Sequence, residues 1–312
     1  MQGFLIIAPI IILMAIGAIM RKVGFLVESD VKCLSKLVFW IISPAILFRG
    51  ALNLEMNWAS HANYAISIYV SATLIALLVY LFGRYVLRNA GGAILPISVL
   101  ASFRCNSIMI GIPVVMLAFG ERGAAPIAVY FAVTEAGYNL MSIVSAELVR
   151  GGSGSFREML RKALRGIAIN PMLWASLSGL LLSAMGFHSM PVAIDTVFVS
   201  IANMATGASV LMIGASLDVS AIRRSVSQLA PDTAVRLLVH PALLLLCFKF
   251  FPAAPEMMQT AVVITAAPAP NIAFVLAQGM GFDADYAAGL IGITTVAFVV
   301  TMPLWLNVLN LV

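Results

Sequence analysis

Charge is scarce in this 312-residue chain: Asp, Glu, Lys and Arg make up 10% of it, against 62% hydrophobic residues. Soluble domains carry roughly 25% charged residues, so too little charge is present to cover a soluble surface of this size. The net charge of +5 fits a few cationic loops beside a membrane and not a nucleic-acid-binding face. Cysteine is sparse as well. Cys33, Cys105 and Cys247 are odd in number and far apart, with no C-x-x-C, so neither a disulfide framework nor a zinc site is indicated. His61, His188 and His240 stand isolated, which argues against a metal. Neither H-E-x-x-H nor G-x-S-x-G occurs; "GGSGS" at 151–155 misses the last glycine. An intramembrane enzyme would need such a nucleophile–base or metal set. A P-loop is also missing, which disfavours an ATP-driven pump. No cofactor is called for.

What the chain has is long apolar runs, with a mean hydropathy of +1.05. They are continuous and do not alternate with polar residues, so they predict helices and not a β-barrel. The first run, "FLIIAPIIILMAIGAIM", has no basic residue ahead of it and no A-x-A site behind it. Arg21 and Lys22 follow it, which predicts a first membrane helix with its N-terminus outside, not a cleaved signal. A span needs roughly 20 apolar residues. Ten candidates fall at 4–20, 33–51, 62–83, 92–119, 124–149, 167–186, 191–217, 231–251, 257–280 and 284–311.

The cationic residues follow these spans in alternation. Thirteen sit after or beside the odd-numbered ones: Arg21, Lys22, Lys32, Lys36, Arg84, Arg88, Arg150, Arg157, Arg161, Lys162, Arg165, Arg223 and Arg224. Only Arg49, Arg122 and Lys249 fall at the other side, although the loop after the ninth span carries no Lys or Arg at all. This bias predicts an all-α polytopic protein of the inner membrane with ten transmembrane helices and both termini outside the cytoplasm.

A basic cytoplasmic loop at 150–166, "RGGSGSFREMLRKALRG", separates residues 1–149 from 167–312, with five spans in each half. Five is odd, so homologous halves would enter the membrane in opposite directions. Weak echoes support this: Asn106 and Asn271 are 165 residues apart, and "RGAL" at 49–52 faces "GASL" at 214–217. The fourth span of each half is interrupted, by "FRCNSIMIGIPVVMLAFG" (103–120) and "ITAAPAPNIAFVLAQGMG" (264–281). Pro113 should free the carbonyl of Met109, and Pro268 and Pro270 those of Ile264 and Ala266. In hydrocarbon each orphan costs several kcal/mol, so such backbone belongs where it is buried in protein or lines a wet cavity. Beyond each break, a half-helix N-terminus favours an anion. Gly111, Ala267 and Ala269 allow close backbone approach, and Asn106 and Asn271 add amides. Pro9, Pro44, Pro96, Pro126, Pro171, Pro241 and Pro303 read as ordinary kinks or helix ends. Two Asn-plus-Pro clusters at matched positions read as a transport site.

Other polar residues have competing readings. Arg104 lies about 12 residues, roughly 18 Å, into its span, near the middle of a core about 30 Å thick. It either meets a substrate carboxylate or pairs structurally with Glu135. Arg236 lies roughly 9 Å from its cytoplasmic end and is expected to snorkel. Glu135 and Asn139, four apart on one helix face, are candidates for a coupling proton or sodium ion. Asp195 and Asp218 sit near helix ends and are expected to be solvated.

At "CNSIMIGIPVVMLAFG" and "FVLAQGMGFDADYAAGLIGITTVAFVVTMPLW" the chain resembles the auxin efflux carrier family, including its bacterial malonate-transporter-like members. The resemblance covers nearly the whole chain. It implies two inverted five-helix repeats, with helices 4 and 9 broken and crossing at the midplane. Helices 1, 2, 6 and 7 would form a scaffold, and helices 3–5 with 8–10 a transport domain moving as an elevator. By motif, Asn106, Ile112 and Pro113 form one half of the crossover, and Pro268, Pro270 and Asn271 the other. The Pro-Ala-Pro-Asn run and the short middle loop depart from the plant carriers, which makes a small carboxylate such as malonate more plausible than auxin. A homodimer through the scaffold is implied. The alternatives are a sodium-coupled symporter of larger, bile-acid-like anions and a channel or sensor.

Overall fold

The computed structural model describes residues 2–54, 58–85, 92–150, 161, 164–216 and 226–311. Every regular element among them is helical. That follows from the continuous apolar runs, since a helix satisfies its backbone polar groups within one segment. The expected loop at 150–166 lies mostly outside the described residues, as do Arg88, Asp218, Arg223 and Arg224.

Helix α1 (Gln2–Lys22) ends at its two cationic residues, and Gly24 at φ 78° makes the turn. The next run begins as the polar α2 (Glu28–Leu37), widens through a π-helical turn (Val38–Ile42) and continues as α3 (Ser43–Leu52), with Pro44 in its first turn. Then come α4 (Trp58–Tyr85), α5 (Leu95–Phe103), a second wide turn (Ser107–Gly111), α6 (Ile112–Phe119), a 3-10 turn (Gly120–Gly123) and α7 (Ala124–Arg150). The second half contains α8 (Pro171–Ala184), α9 (Val192–Ser216), α10 (Val226–Ala234), a wide turn (Val235–Val239), α11 (His240–Phe250), α12 (Pro255–Thr265), α13 (Ile272–Met280) and α14 (Ala284–Leu311). Asn170 starts α8 by accepting the N–H groups of Met172 and Leu173, at 2.9 and 3.3 Å.

Seven stretches among the described residues are long and apolar enough to cross a membrane: 3–22, 28–52, 61–85, 95–146, 192–216, 228–250 and 284–309. The 52-residue stretch covers two of the expected spans. The expected spans at 167–186 and 257–280 are not among the seven. Here α8 has 14 residues, and α12 and α13 have 11 and 9. Prolines and a non-helical segment cut the regular length there, which apolar composition alone does not reveal.

The molecule is apolar outside, and its apolar core encloses a set of polar side chains. Phe4, Leu5, Ile12 and Ile19 of α1 and Leu77, Leu78 and Phe82 of α4 are exposed, as suits surfaces facing lipid. Asn106, Thr134, Glu135, Arg236, His240, Thr265, Thr294 and Thr295 are buried. The stretch 95–146 is the most deeply buried of the seven. Around it, α1 packs on α9 and α14, α3 on α7 and α8, and α4 on α5 and α11.

Small residues set the tightest crossings. A Cβ on Gly17 would overlap the carbonyl oxygen of Leu211, and one on Gly214 would overlap that of Met14. Each helix therefore lays bare backbone on the other. Gly207, on the same α9, has open space around it. Gly17→Ala and Gly214→Ala are expected to destabilise the protein by about 1–3 kcal/mol each through overpacking. Gly207→Ala should be neutral or stabilising by about 0.5–1 kcal/mol. Thermal unfolding of the three variants in detergent checks the contrast.

Candidate functional site

Two helical runs stop in mid-course. In the first, α5 ends at Phe103, Arg104 is extended (φ −89°, ψ 142°), and Asn106 sits at φ −78°, ψ 65°. Asn106 then restarts the helix. Its Oδ1 accepts the Met109 N–H at 3.3 Å, and its carbonyl accepts from Ile110 and Gly111 at 3.2 and 3.1 Å. That bond to the residue five ahead opens the wide turn leading into α6, with Pro113 in the α6 first turn. In the second run, α12 ends at Thr265 and α13 begins at Ile272. Pro268 and Pro270 bias the residues before them away from helix. Ala266, Ala267 and Ala269 are fully buried, which lets other backbone come close.

The two interruptions meet. The Asn106 N–H donates to the Pro268 carbonyl at 2.8 Å. Gly111 faces Ile264, where an added Cβ would lie 3.2 Å from Ile264 Cγ2. One of the carbonyls expected to be freed finds a local partner. The Ile264 carbonyl, which the sequence led us to expect as an orphan, accepts from Ala267 N–H at 3.1 Å. The Pro270 carbonyl accepts from Ala273 N–H at 3.0 Å, and the Ala269 N–H donates to Thr294 Oγ1 of α14 at 3.0 Å. Asn271 differs from Asn106. It is exposed and its side chain caps nothing, whereas Asn106 is buried and caps its own helix restart.

Arg236 corrects an expectation. It does not snorkel: its relative exposure is 0%. The wide turn at Val235–Val239 carries it inward, and the Trp305 indole N–H donates to the Leu237 carbonyl at 2.8 Å. Its Nη1 donates to the carbonyls of Arg104 at 3.0 Å, Ser102 at 3.1 Å and Ala101 at 3.4 Å, and its Nη2 to that of Thr265. Ala101 and Ser102 lie in the last turn of α5, Arg104 directly follows it, and Thr265 ends α12. Helix C-termini carry unsatisfied carbonyls and partial negative charge. The guanidinium therefore trades water for the negative ends of two helices. Depth along a helix does not fix which way a side chain faces, and Arg236 faces the interior.

Arg104 and Glu135 do not pair. Arg104 Nη1 donates to Asn139 Oδ1 at 2.8 Å and Ser142 Oγ at 3.3 Å, both on α7. Glu135 Oε2 accepts from Asn170 Nδ2 at 2.7 Å, so it joins α7 to the start of α8. Glu135 and Asn139 share a helix but serve different neighbours. Asp195 is not free in solvent: Arg49 Nε donates to its Oδ1 at 2.7 Å, and Arg49 also pairs with Glu121 of the 3-10 turn. A cavity of about 620 Å³ lies apart from the junction, between α4, α5, α10 and α14. On its wall the Tyr286 hydroxyl donates to Asp232 Oδ2 at 2.8 Å.

Arg236, Thr294 and Asn170 were not singled out as site residues by sequence reasoning. An arginine inside a predicted span was the one available signal. Thr294 and Asn170 act through contacts distant in the chain, which no local pattern announces.

The family model described as "Membrane transport protein" matches residues 3–306. An "Uncharacterized transporter" of Methanothermobacter thermautotrophicus is 24% identical over 306 residues, covering 97% of each chain. A "Putative malonate transporter" of Rhizobium meliloti is 23% identical over 273 residues, covering 86% of this chain and 84% of its own. The "Uncharacterized transporter YfdV" of Escherichia coli K12 is 25% identical over 316 residues, covering 97% and 96%. With continuous apolar helices around a buried polar junction and a family match along almost its entire length, this multi-pass membrane protein belongs to the membrane transport protein family, the family of the auxin efflux carriers.

Proposed function

We propose that this protein is a secondary carrier of small organic anions, malonate-like dicarboxylates above all, working by elevator-type alternating access. The observation that carries the proposal is the meeting of the two interrupted runs, Asn106 N–H on Pro268 O. Their first halves turn their C-termini toward Arg236. Their second halves, starting at Ser107 and Ile272, present N-termini that favour negative charge. Two such ends suit a molecule with two carboxylates. Arg104, half-buried beside the junction, adds positive potential. The name of the Rhizobium meliloti relative points to the same substrate class.

Ten crossings in two inverted repeats fit the packing. In this reading α2–α3, α5–α6, α10–α11 and α12–α13 are each one span. The α1–α9 contact then has a counterpart in α8–α3, and α1–α14 in α8–α7. Close approaches repeat in the same register. A Cβ on Gly17 would meet the Leu211 oxygen and Ala215 nitrogen; one on Gly179 would meet the Phe48 oxygen and Leu52 nitrogen. These matched positions are 162, 163 and 163 residues apart, close to the offset of 165 between Asn106 and Asn271. The proposed scaffold is α1, α2–α3, α8 and α9. The rest moves, and Glu135 on Asn170 and Arg49 on Glu121 join the two bodies.

Purified protein in liposomes is expected to take up labelled malonate saturably. Asn106→Ala combined with Asn271→Ala should abolish uptake while leaving a folded protein. Uptake that persists in the double variant would contradict the placement of the site, and no uptake of any small carboxylate under proton or sodium gradients would remove the organic-anion reading. Arg104→Gln should weaken malonate binding by about tenfold, the loss of roughly one charge-assisted interaction. An unchanged half-saturation concentration and rate would confine Arg104 to holding α7.

A further inference from the structure

The guanidinium of Arg236 occupies the kind of place where helix ends hold cations. Four main-chain carbonyls, of Ala101, Ser102, Arg104 and Thr265, converge on it from two separate helices. Neutral oxygen ligands of this kind suit a hard monovalent cation as well as an N–H donor, and the C-terminal ends of interrupted membrane helices are a recurrent sodium site. Among the described residues no carboxylate forms an ion pair with Arg236. The two helix ends are thus its counter-charge. The same ends would repel each other if nothing positive stood between them.

We propose that Arg236 is the resident cation of the junction. Its tethered guanidinium fills the carbonyl cage that a free sodium ion would otherwise fill, so the carrier binds its anion with no sodium at that place. The inference rests on reading the junction as the transport site. The geometry gives the cage one occupant: Arg236 is fully buried, and its fork spans both helix ends at once. Because the charge is covalently held by the α10–α11 run, it travels with α5 and α12 and is never released or rebound during a cycle. Its positive charge lies behind the two half-helix N-termini and favours an anion there. In this role Arg236 is a positioning residue that also decides ion specificity. A neutral side chain of similar reach would leave the carbonyls facing each other; removing the side chain would leave a cage open to a small cation.

The test uses the intact protein with Arg236→Ala, Arg236→Gln and Arg236→Lys, read in two ways. In liposomes, wild-type malonate uptake should be equal in sodium, potassium and choline media. Arg236→Ala should lose at least about tenfold, the scale of one lost charge-assisted contact, and regain uptake with millimolar guanidinium or sodium. In detergent without substrate, the same additions should raise the Tm of Arg236→Ala and leave that of the wild type unmoved. Rescue by guanidinium is a response that mere loss of packing does not produce. The Tm arm needs no transported substrate, so it separates failure of this inference from failure of the carrier reading. Wild-type uptake that vanishes without sodium would overturn the proposal, as would an Arg236→Ala protein whose Tm and uptake ignore both cations. If Arg236→Ala does not fold, the other two variants decide: uptake retained by Arg236→Lys and lost by Arg236→Gln supports the resident cation, and equal loss in both overturns it.

Discussion

A buried arginine, without a carboxylate ion pair among the described residues, holds the carbonyl ends of two interrupted helical runs together. The rest of the structure depends on that bond set. Burying a guanidinium is costly, and stopping two helices inside an apolar molecule is costly as well. The hydrogen bonds between the two offset both costs. The helix ends need donors, and Arg236 supplies them to Ala101, Ser102, Arg104 and Thr265. The interruptions then complete each other through Asn106 and Pro268, and Thr294 takes the remaining Ala269 N–H. Irregular backbone survives in the middle of this molecule because protein surrounds it.

The consequence for function is a separation of charge along each interrupted run. Carbonyl ends face the arginine, and amide ends face the other way. In a soluble protein, water would weaken this polarity. Inside an apolar bundle it persists, and it favours anions at the amide ends. Membership of a transport family is compatible with that polarity. Motion is a separate matter. The proposed scaffold and the moving body meet through polar links such as Glu135 with Asn170 and Arg49 with Glu121, and through close packing of α3 on α7, where Gly50 lies against Ala124, and of α1 on α14. Within the scaffold, glycine crossings such as Gly17 on Leu211 are tight and apolar.

Composition made the helical membrane class legible, because so little charge leaves no other solvent for the surface. Proline is legible only locally: α12 ends before Pro268, whereas α5 ends at Phe103, well ahead of Pro113, which sits in the first turn of α6. What stayed hidden was the direction of side chains. Depth along a helix suggested that Arg236 would reach the interface, yet a wide turn sends it to the centre. Charge alone suggested an Arg104–Glu135 pair, yet each has a polar partner at better reach, Asn139 and Asn170. Asn106 and Asn271 looked equivalent in spacing, but one caps a helix and the other is exposed. Such contacts join residues distant in the chain, and single-sequence periodicity carries no information on them.

Entrance counterflow tests the central claim most directly. Liposomes holding the purified protein are loaded with unlabelled malonate, placed in a sodium-free choline medium, and given a trace of labelled malonate outside. An alternating-access carrier with its own cation at the junction is expected to accumulate label transiently above equilibrium and then release it. A slow monotonic rise to equilibrium, or an overshoot that needs external sodium, would contradict it.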